Sequence, residues 1–339
     1  MSPDHFDIIY YCDSHPAIGL GHLKRGIDIL NSLHRKDKDL SMAMCGSYSE
    51  SARLFMENML NHDTRVFAKE SYSDELSCQL GIVDTMFDDQ NPEYIDRQTC
   101  EILKAKAEKL ILICGILKAR LPDCVNVFIN HLPDVKIQGN KICKKYLGFD
   151  YIPVAEEFFA QIDPALSAPD FTLAIIGGND EQTGPELLLK GLKLLQLDMS
   201  RFNVVVSPHY PTQMTRILKK QYPQVAILQN LPQLKPYIQK ASAVICTYGH
   251  TTFECMSLGK PTFLLNYKSF QNLYSDYLAD KNLAVNLGYF NRIKPNKLES
   301  IQSIKTLQTL GENCRRTFRS PGIENIVTVI QREMEHVSN

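Results

Sequence analysis

Three stretches of the chain combine glycine with histidine, hydroxyl or acidic residues at spacings that can do chemistry. The sharpest is Asp13-Ser-His-Pro-Ala-Ile-Gly19-Leu-Gly21-His22-Leu-Lys24-Arg25, between an apolar run and an amphipathic one. Gly19 and Gly21 permit a tight turn and bring a ligand close to backbone N–H groups, and the helix that opens there adds a positive partial charge. A phosphate or a sugar oxygen suits such a turn. The dinucleotide fingerprint is ruled out: its third glycine is missing, and Cys45-Gly46 stand where an acid is needed. Without Gly-Lys-Ser/Thr it is not a P-loop either. His22 falls in the first helical turn, where the dipole disfavours the imidazolium, as a general base requires. Asp13 at the strand tip orients the ring or binds a sugar hydroxyl. An isolated histidine at such a place is more often a capping or packing residue. Two glycines before it, an acid at the strand tip and Arg25 one turn later favour the functional reading.

The second stretch is Ile175-Ile176-Gly177-Gly178-Asn179-Asp180, where a strand meets a helix. Paired glycines expose N–H donors to an anion, although a plain strand-to-helix turn uses the same residues. The third is Cys246-Thr-Tyr-Gly249-His250-Thr251-Thr252-Phe253-Glu254, running on to Leu258-Gly259-Lys-Pro261. Thr251 and Thr252 can cap a helix and meet a phosphate with hydroxyl and amide donors. Glu254, expected in the first turn, is placed to accept from the two hydroxyls of a ribose or, alternatively, to act as a capping glutamate. Gln271, after the next strand, is within reach of the same pocket. Arg315, Arg316 and Arg319 read as a solvated helix face.

Strands must end, and helices begin, at these turns. Apolar runs at 7–12, 40–45, 80–84 and 110–114 alternate with amphipathic stretches at 21–33, 49–60 and 92–108, the rhythm of a parallel sheet. The pattern loosens through Pro122, Pro133 and Gly139, and Pro153, Pro164 and Pro169 around 156–160 mark 151–169 as a hinge. A second series follows, with strands at 171–176, 203–206, 225–228, 243–246 and 261–265 and helices at 185–195, 211–221, 252–258 and 270–280, closed by helices at 296–310 and 321–337. The expectation is an α/β protein of two Rossmann-like, doubly wound domains facing one another across a cleft: 1–150, the hinge 151–169, and 170–339.

Composition agrees with that architecture. The 339 residues are long enough for two cores at roughly 150 residues per domain. Hydrophobic residues make up 44% and charged residues 22%, which excludes a disordered or fibrous chain. Lys and Arg total 37 against 38 Asp and Glu, with no basic run, so nucleic-acid binding has no electrostatic footprint. The longest apolar stretch, 110–117, is far below the roughly 20 residues of a membrane span. Asp4, His5 and Asp7 stand where a signal peptide needs basic then apolar residues, so a cytoplasmic location is expected. The ten cysteines contain no C-x-x-C pair and read as reduced core residues, neither a zinc ribbon nor a redox site. No short-period repeat is visible.

In order, Gly19-x-Gly21-His22-x-x-Arg25, Asp84, Tyr151-Ile-Pro, Glu157-Phe158, Gly177-Gly178-x-Asp180, Gly249-x-Thr251-x-x-Glu254, Leu258-Gly259-Lys-Pro261, Gln271 and Val285-Asn-Leu-Gly288 resemble a known family. It is the UDP-2,4-diacetamido-2,4,6-trideoxy-β-L-altropyranose hydrolase family of pseudaminic acid biosynthesis, and the likeness runs from about residue 8 to 288. The resemblance implies the GT-B architecture, shared with the N-acetylglucosaminyltransferase of peptidoglycan assembly. It implies removal of UDP from a UDP-sugar without metal or cofactor, water attacking the anomeric carbon with inversion; the chain is expected to be a monomer. By position His22 is then the base, and the 249–254 element holds UDP with Glu254 on its ribose. Gly19, Gly21, Arg25, Asp84, Gly177, Gly178, Asn179, Gly249, His250, Thr251, Thr252 and Gln271 complete the substrate contacts. UDP leaves readily when helix N-termini absorb its charge, so one base acting on water suffices. His250, Phe270 and Cys114-Gly115-Ile116 depart from the family pattern, mostly on the sugar side. The rival readings are a glycosyltransferase in which His22 activates an acceptor hydroxyl, and a nucleotide-sugar-binding protein without catalysis.

Overall fold

The computed structural model describes residues 4–15, 18–69, 76–84, 95–159, 171–176, 183–207, 210–231 and 233–335. The chain divides into two compact units, Met1–Glu156 with Ser320–Asn339, and Glu157–Arg319.

The first unit begins β1 (Asp4–Tyr11), α1 (Gly21–Lys36), β2 (Met42–Gly46), α2 (Glu50–Met59), β3 (Arg65–Ala68) and β4 (Leu76–Val83). It continues with α3 (Arg97–Lys104), β5 (Ala107–Cys114), β6 (Lys118–Leu121), β7 (Val127–Asn130), β8 (Lys136–Gly139) and β9 (Lys144–Leu147). Seven strands form a parallel sheet in the order β3-β2-β1-β4-β5-β7-β9, and β6 pairs with β8 apart from it. Strands buried on both faces read as continuous apolar runs. In β1, Ile8 and Tyr10 enter the core beneath α1, while Phe6, Ile9 and Tyr11 enter the core on the other face.

The second unit contains β10 (Thr172–Ile176), α4 (Gly184–Leu194), β11 (Phe202–Val206), α5 (Thr212–Gln221), β12 (Ala226–Leu228), α6 (Lys235–Lys240) and β13 (Ala243–Cys246). Then come α7 (His250–Ser257), β14 (Thr262–Asn266), α8 (Ser269–Asp280), β15 (Val285–Tyr289), β16 (Arg292–Ile293), α9 (Pro295–Glu299) and α10 (Ile304–Thr317). Its sheet has the order β12-β11-β10-β13-β14-β15-β16, parallel except for the last pair. In both units the strand order reverses beside the first strand, and the parallel pairing puts the carboxyl ends of β1 and β4, and of β10 and β13, side by side.

Several features depart from the sequence expectation, among them β3, α6 and β15, which it did not contain. Strands β7 and β9 extend the first sheet through the region where the apolar rhythm loosens, because four-residue strands are too short to show a period. The helix expected at 296–310 is two helices, separated where the Ser303 hydroxyl caps α10 by accepting from Thr306 N–H at 3.3 Å. The last helix, α11 (Gly322–Glu335), expected to close the second domain, belongs to the first unit. Its apolar stripe of Ile323, Ile326, Val327 and Ile330 joins the core of α1 and β1. Glu333, 1% exposed, accepts from Lys144 at 2.6 Å, and Glu324 accepts from Lys36 at 2.7 Å and from Ser32 at 3.0 Å. A Cβ at Gly322 would lie 2.2 Å from the Ile152 carbonyl oxygen, so only glycine lets the chain enter α11 there. All ten cysteines are free thiols, buried except for half-buried Cys124.

Candidate functional site

The loop from β1 to α1 turns at Gly19, whose φ of +81° is left-handed and favours glycine. Its N–H donates to the His15 carbonyl at 2.8 Å, and its carbonyl accepts the Ser14 hydroxyl at 2.9 Å. The chain thus enters α1 with His22 in the first turn and Arg25 three residues later on the same face. Beside it, β4 pairs in parallel with β1 and ends at Val83, so Asp84 emerges next to the β1 tip, its N–H on the Tyr11 carbonyl at 2.9 Å.

Asp84 is fully buried and carries four hydrogen bonds. His22 Nδ1 lies 2.6 Å from Oδ1, and Arg25 Nη2 donates to the same oxygen. On Oδ2, Arg25 Nε donates, and Tyr10 Oη donates at 2.6 Å. Burial alone would raise the Asp84 pKa, but the Arg25 charge and the hydrogen bonds from His22 and Arg25 outweigh it and hold the carboxyl well below the usual range. Burial likewise opposes the Arg25 charge, and Asp84 reverses the balance, leaving the guanidinium more firmly protonated than normal.

An ionised Asp84 only accepts, so the proton between it and His22 sits on Nδ1, and the free lone pair of the neutral ring is on Nε2. Arg25 Nη2 also lies 2.9 Å from Nδ1. With Nδ1 already a donor, that approach is a contact between two donors sharing one carboxylate. The side chain of His22 keeps 18% of its surface exposed while Asp84 keeps none, so the dyad has a buried anchor and an accessible ring.

Asp13 does not orient His22. Its Oδ1 accepts Ser47 N–H at 2.8 Å and Tyr11 Oη at 3.3 Å, which braces the β1 tip against the loop after β2. The orienting acid is Asp84. The sequence carried a signal for this: in a doubly wound order the strand beside β1 is β4, and an acid ends that apolar run.

In the second unit the turn from β13 to α7 is built differently from the sequence expectation. Thr252 is fully buried, and its hydroxyl accepts Gly249 N–H at 3.2 Å while donating to the Thr247 carbonyl at 3.0 Å. It therefore caps the helix and has no bond left for a phosphate. Thr251 is half-buried, and among the described residues nothing bonds its hydroxyl. Gly249 has an extended backbone, and a Cβ there would meet nothing within 4 Å, so neither strain nor packing within the chain requires glycine. Glu254 falls in the second turn, not the first, 4% exposed, with Oε1 3.6 Å from His250 Nε2. Gln271 does not project into a ligand site through its oxygen. Oε1 accepts the N–H groups of Tyr267 at 3.0 Å and Lys268 at 3.1 Å and closes the turn into α8. Gly177, Gly178, Asn179 and Asp180 lie outside the described residues.

Sequence reasoning missed a buried amide network behind this turn. Asn266 Oδ1 accepts Tyr248 N–H at 3.3 Å and the Ser275 hydroxyl at 3.1 Å. Asn286 Oδ1 accepts Gly288 N–H at 2.9 Å, and its Nδ2 donates to Asp276 at 2.6 Å and Asn272 at 3.0 Å. Tyr248 stacks on Tyr274 with centroids 4.9 Å apart. Together they fix the 247–249 turn onto β14 and α8. Asn266 at the end of an apolar strand was its only sequence trace. A surface pocket of about 450 Å³ lined by Asp276, Lys294, Lys297 and Lys305 opens beside the start of β15, apart from these turns. Among the described residues no group of three or more His, Cys, Asp or Glu side chains is placed to hold a metal ion, and no helix is long and apolar enough to cross a membrane.

The sequence matches no protein-family model and no curated protein. The fold does have solved counterparts. MurG of Acinetobacter baumannii aligns with a TM-score of 0.62 at 11% identity, over 97% of this chain and all of its own. S. aureus MnaA, solved with UDP, gives 0.60 at 10% identity over 98% of both chains. CalG4, the calicheamicin glycosyltransferase, gives 0.60 at 11% identity over 98% of this chain and all of its own. With two Rossmann-like parallel-sheet units, the chain has the GT-B fold.

Proposed function

We propose that the protein binds a UDP-linked sugar and breaks its anomeric C–O bond with inversion. His22 takes a proton on Nε2 from the incoming hydroxyl as its oxygen attacks C1, and UDP departs with the electron pair of the broken bond. The observation that carries this reading is the His22 ring fixed by fully buried Asp84, with its basic nitrogen left over. Arg25 keeps that acid ionised through the cycle. In the second unit the open Gly249, the uncommitted Thr251 hydroxyl and the N–H groups opening α7 take the diphosphate, and Glu254 takes the ribose.

The incoming hydroxyl belongs to an acceptor molecule in the first reading, supported by the fold shared with the glycosyltransferase CalG4. In the second reading it is water, and the protein is a UDP-sugar hydrolase of the pseudaminic type. The ordered motifs from Gly19 to Gly288 support that one. Both are tested by incubating the protein with UDP-N-acetylglucosamine and UDP-diacetamido-trideoxy sugars, alone and with hydroxyl acceptors, and following UDP and the product anomer by NMR. Slow release that an acceptor accelerates supports transfer, and acceptor-independent release of an inverted free sugar supports hydrolysis. UDP binding with no release under any condition contradicts both and leaves a binding protein.

A further inference from the structure

Tyr10 plays no part in the chemistry above, yet it is built into the acid that orients the base. Its ring is fully buried beneath α1, and its hydroxyl, 2.6 Å from Oδ2, supplies one of the four donors around Asp84. The helix makes room for it: a Cβ at Gly26, one turn after His22, would lie 2.6 Å from Tyr10 Cε1. Glycine in a helix interior is unfavourable, and here it is matched to the tyrosine ring below.

We infer that Tyr10 is a positioning residue for His22, its phenol holding Oδ2 of Asp84 so that Oδ1 stays on Nδ1 and the carboxylate charge is shared away from the imidazole. The inference rests on the reading of His22 as the base. Asp84 offers about four lone-pair directions, all filled. Without the phenol, Oδ2 keeps only Arg25 Nε, the carboxylate is freer to rotate, and more of its charge faces Nδ1. A stronger acceptor there favours the imidazolium and withdraws the free base at the acid end of the working range. Among the described residues, the other titratable groups around the carboxylate are Arg25 from α1, Cys12 after β1 and Cys114 ending β5. Burial raises both thiols, Cys114 to about 12. They stay neutral, as does Tyr10, whose own ionisation burial and the Asp84 charge oppose. Asp13, nearby, is bonded to Ser47 N–H.

The test is Tyr10→Phe, which keeps the ring and removes the donor. With histidine labelled by nitrogen-15, the His22 Nδ1–H resonance moves downfield relative to wild type. The acidic limb of kcat/KM for UDP release moves to higher pH by about half a unit or more with KM unchanged. Gly26→Ala, which displaces the ring from above, moves both readouts the same way. A folded Tyr10→Phe protein with an unmoved resonance and an unmoved acidic limb overturns the inference, and a purely space-filling tyrosine predicts that outcome. The resonance needs no substrate, so a wild-type protein that never releases UDP refutes the proposed function while leaving the role of Tyr10 to be decided by the spectrum.

Discussion

His22 and Asp84 lie 62 residues apart in sequence and 2.6 Å apart in space, and the account of the site turns on which of them carries the proton. Replacing Asp84 with asparagine lets an amide face Nδ1, and the amide stabilises either tautomer. The expected loss is about 10³- to 10⁴-fold in kcat, read in the UDP-release assay, with a smaller change in KM. The same substitution leaves Arg25 buried without its counter-charge, at a cost of about 3–5 kcal/mol in urea unfolding. This cost depends on pH. The folded Asp84 pKa is depressed below its unfolded value near 4, so its contribution is present above about pH 4 and lost as pH falls through the folded value. The gap in stability between wild type and Asp84→Asn is therefore widest above pH 4 and narrows below it, as urea midpoints from pH 6 to 3 would show. His22 and Arg25 were legible in the sequence because one helix turn joins them. The Asp84 pairing was legible only through the doubly wound strand order that sets β4 beside β1, and Asp13 was the nearer acid along the chain.

At the scale of elements, the helix starts separate residues that build a turn from residues free to use it. Thr252 and Gln271 belong to the first kind, each closing a cap with its only acceptor oxygen. Thr252→Val is expected to cost about 1 kcal/mol in thermal or urea unfolding. Thr251→Val, at a hydroxyl with no described partner, is expected to leave stability unchanged and to weaken UDP binding by calorimetry, about three- to tenfold for one lost hydrogen bond. The reverse pattern contradicts this assignment. Most strand and helix positions were legible from apolar rhythm, and α1, α4 and α8 lie within a few residues of their expected spans. Capping was not, because a threonine at a helix start reads identically whether its hydroxyl points back to the backbone or out to a ligand.

At the scale of the molecule, the chain finishes its second unit at Arg319 and returns to the first, where α11 completes the core over α1 and β1. An apolar stripe announces a helix but not the sheet it covers, so the sequence assigned α11 to the nearer domain. Ile326→Ala, at a fully buried position of that stripe, is expected to cost about 2–5 kcal/mol. Hydrogen exchange locates the loss: protection falls in β1 and β4 and is unchanged in β10 and β13, whereas equal loss in both sheets would contradict the assignment. The GT-B fold itself admits many chemistries, so the function rests on the one ring. The most direct test is UDP release by His22→Gln, with UDP affinity measured in parallel. The account predicts a fall of about 10²- to 10⁴-fold in turnover with UDP binding intact. Turnover at the wild-type rate by a folded, UDP-binding His22→Gln protein would contradict it.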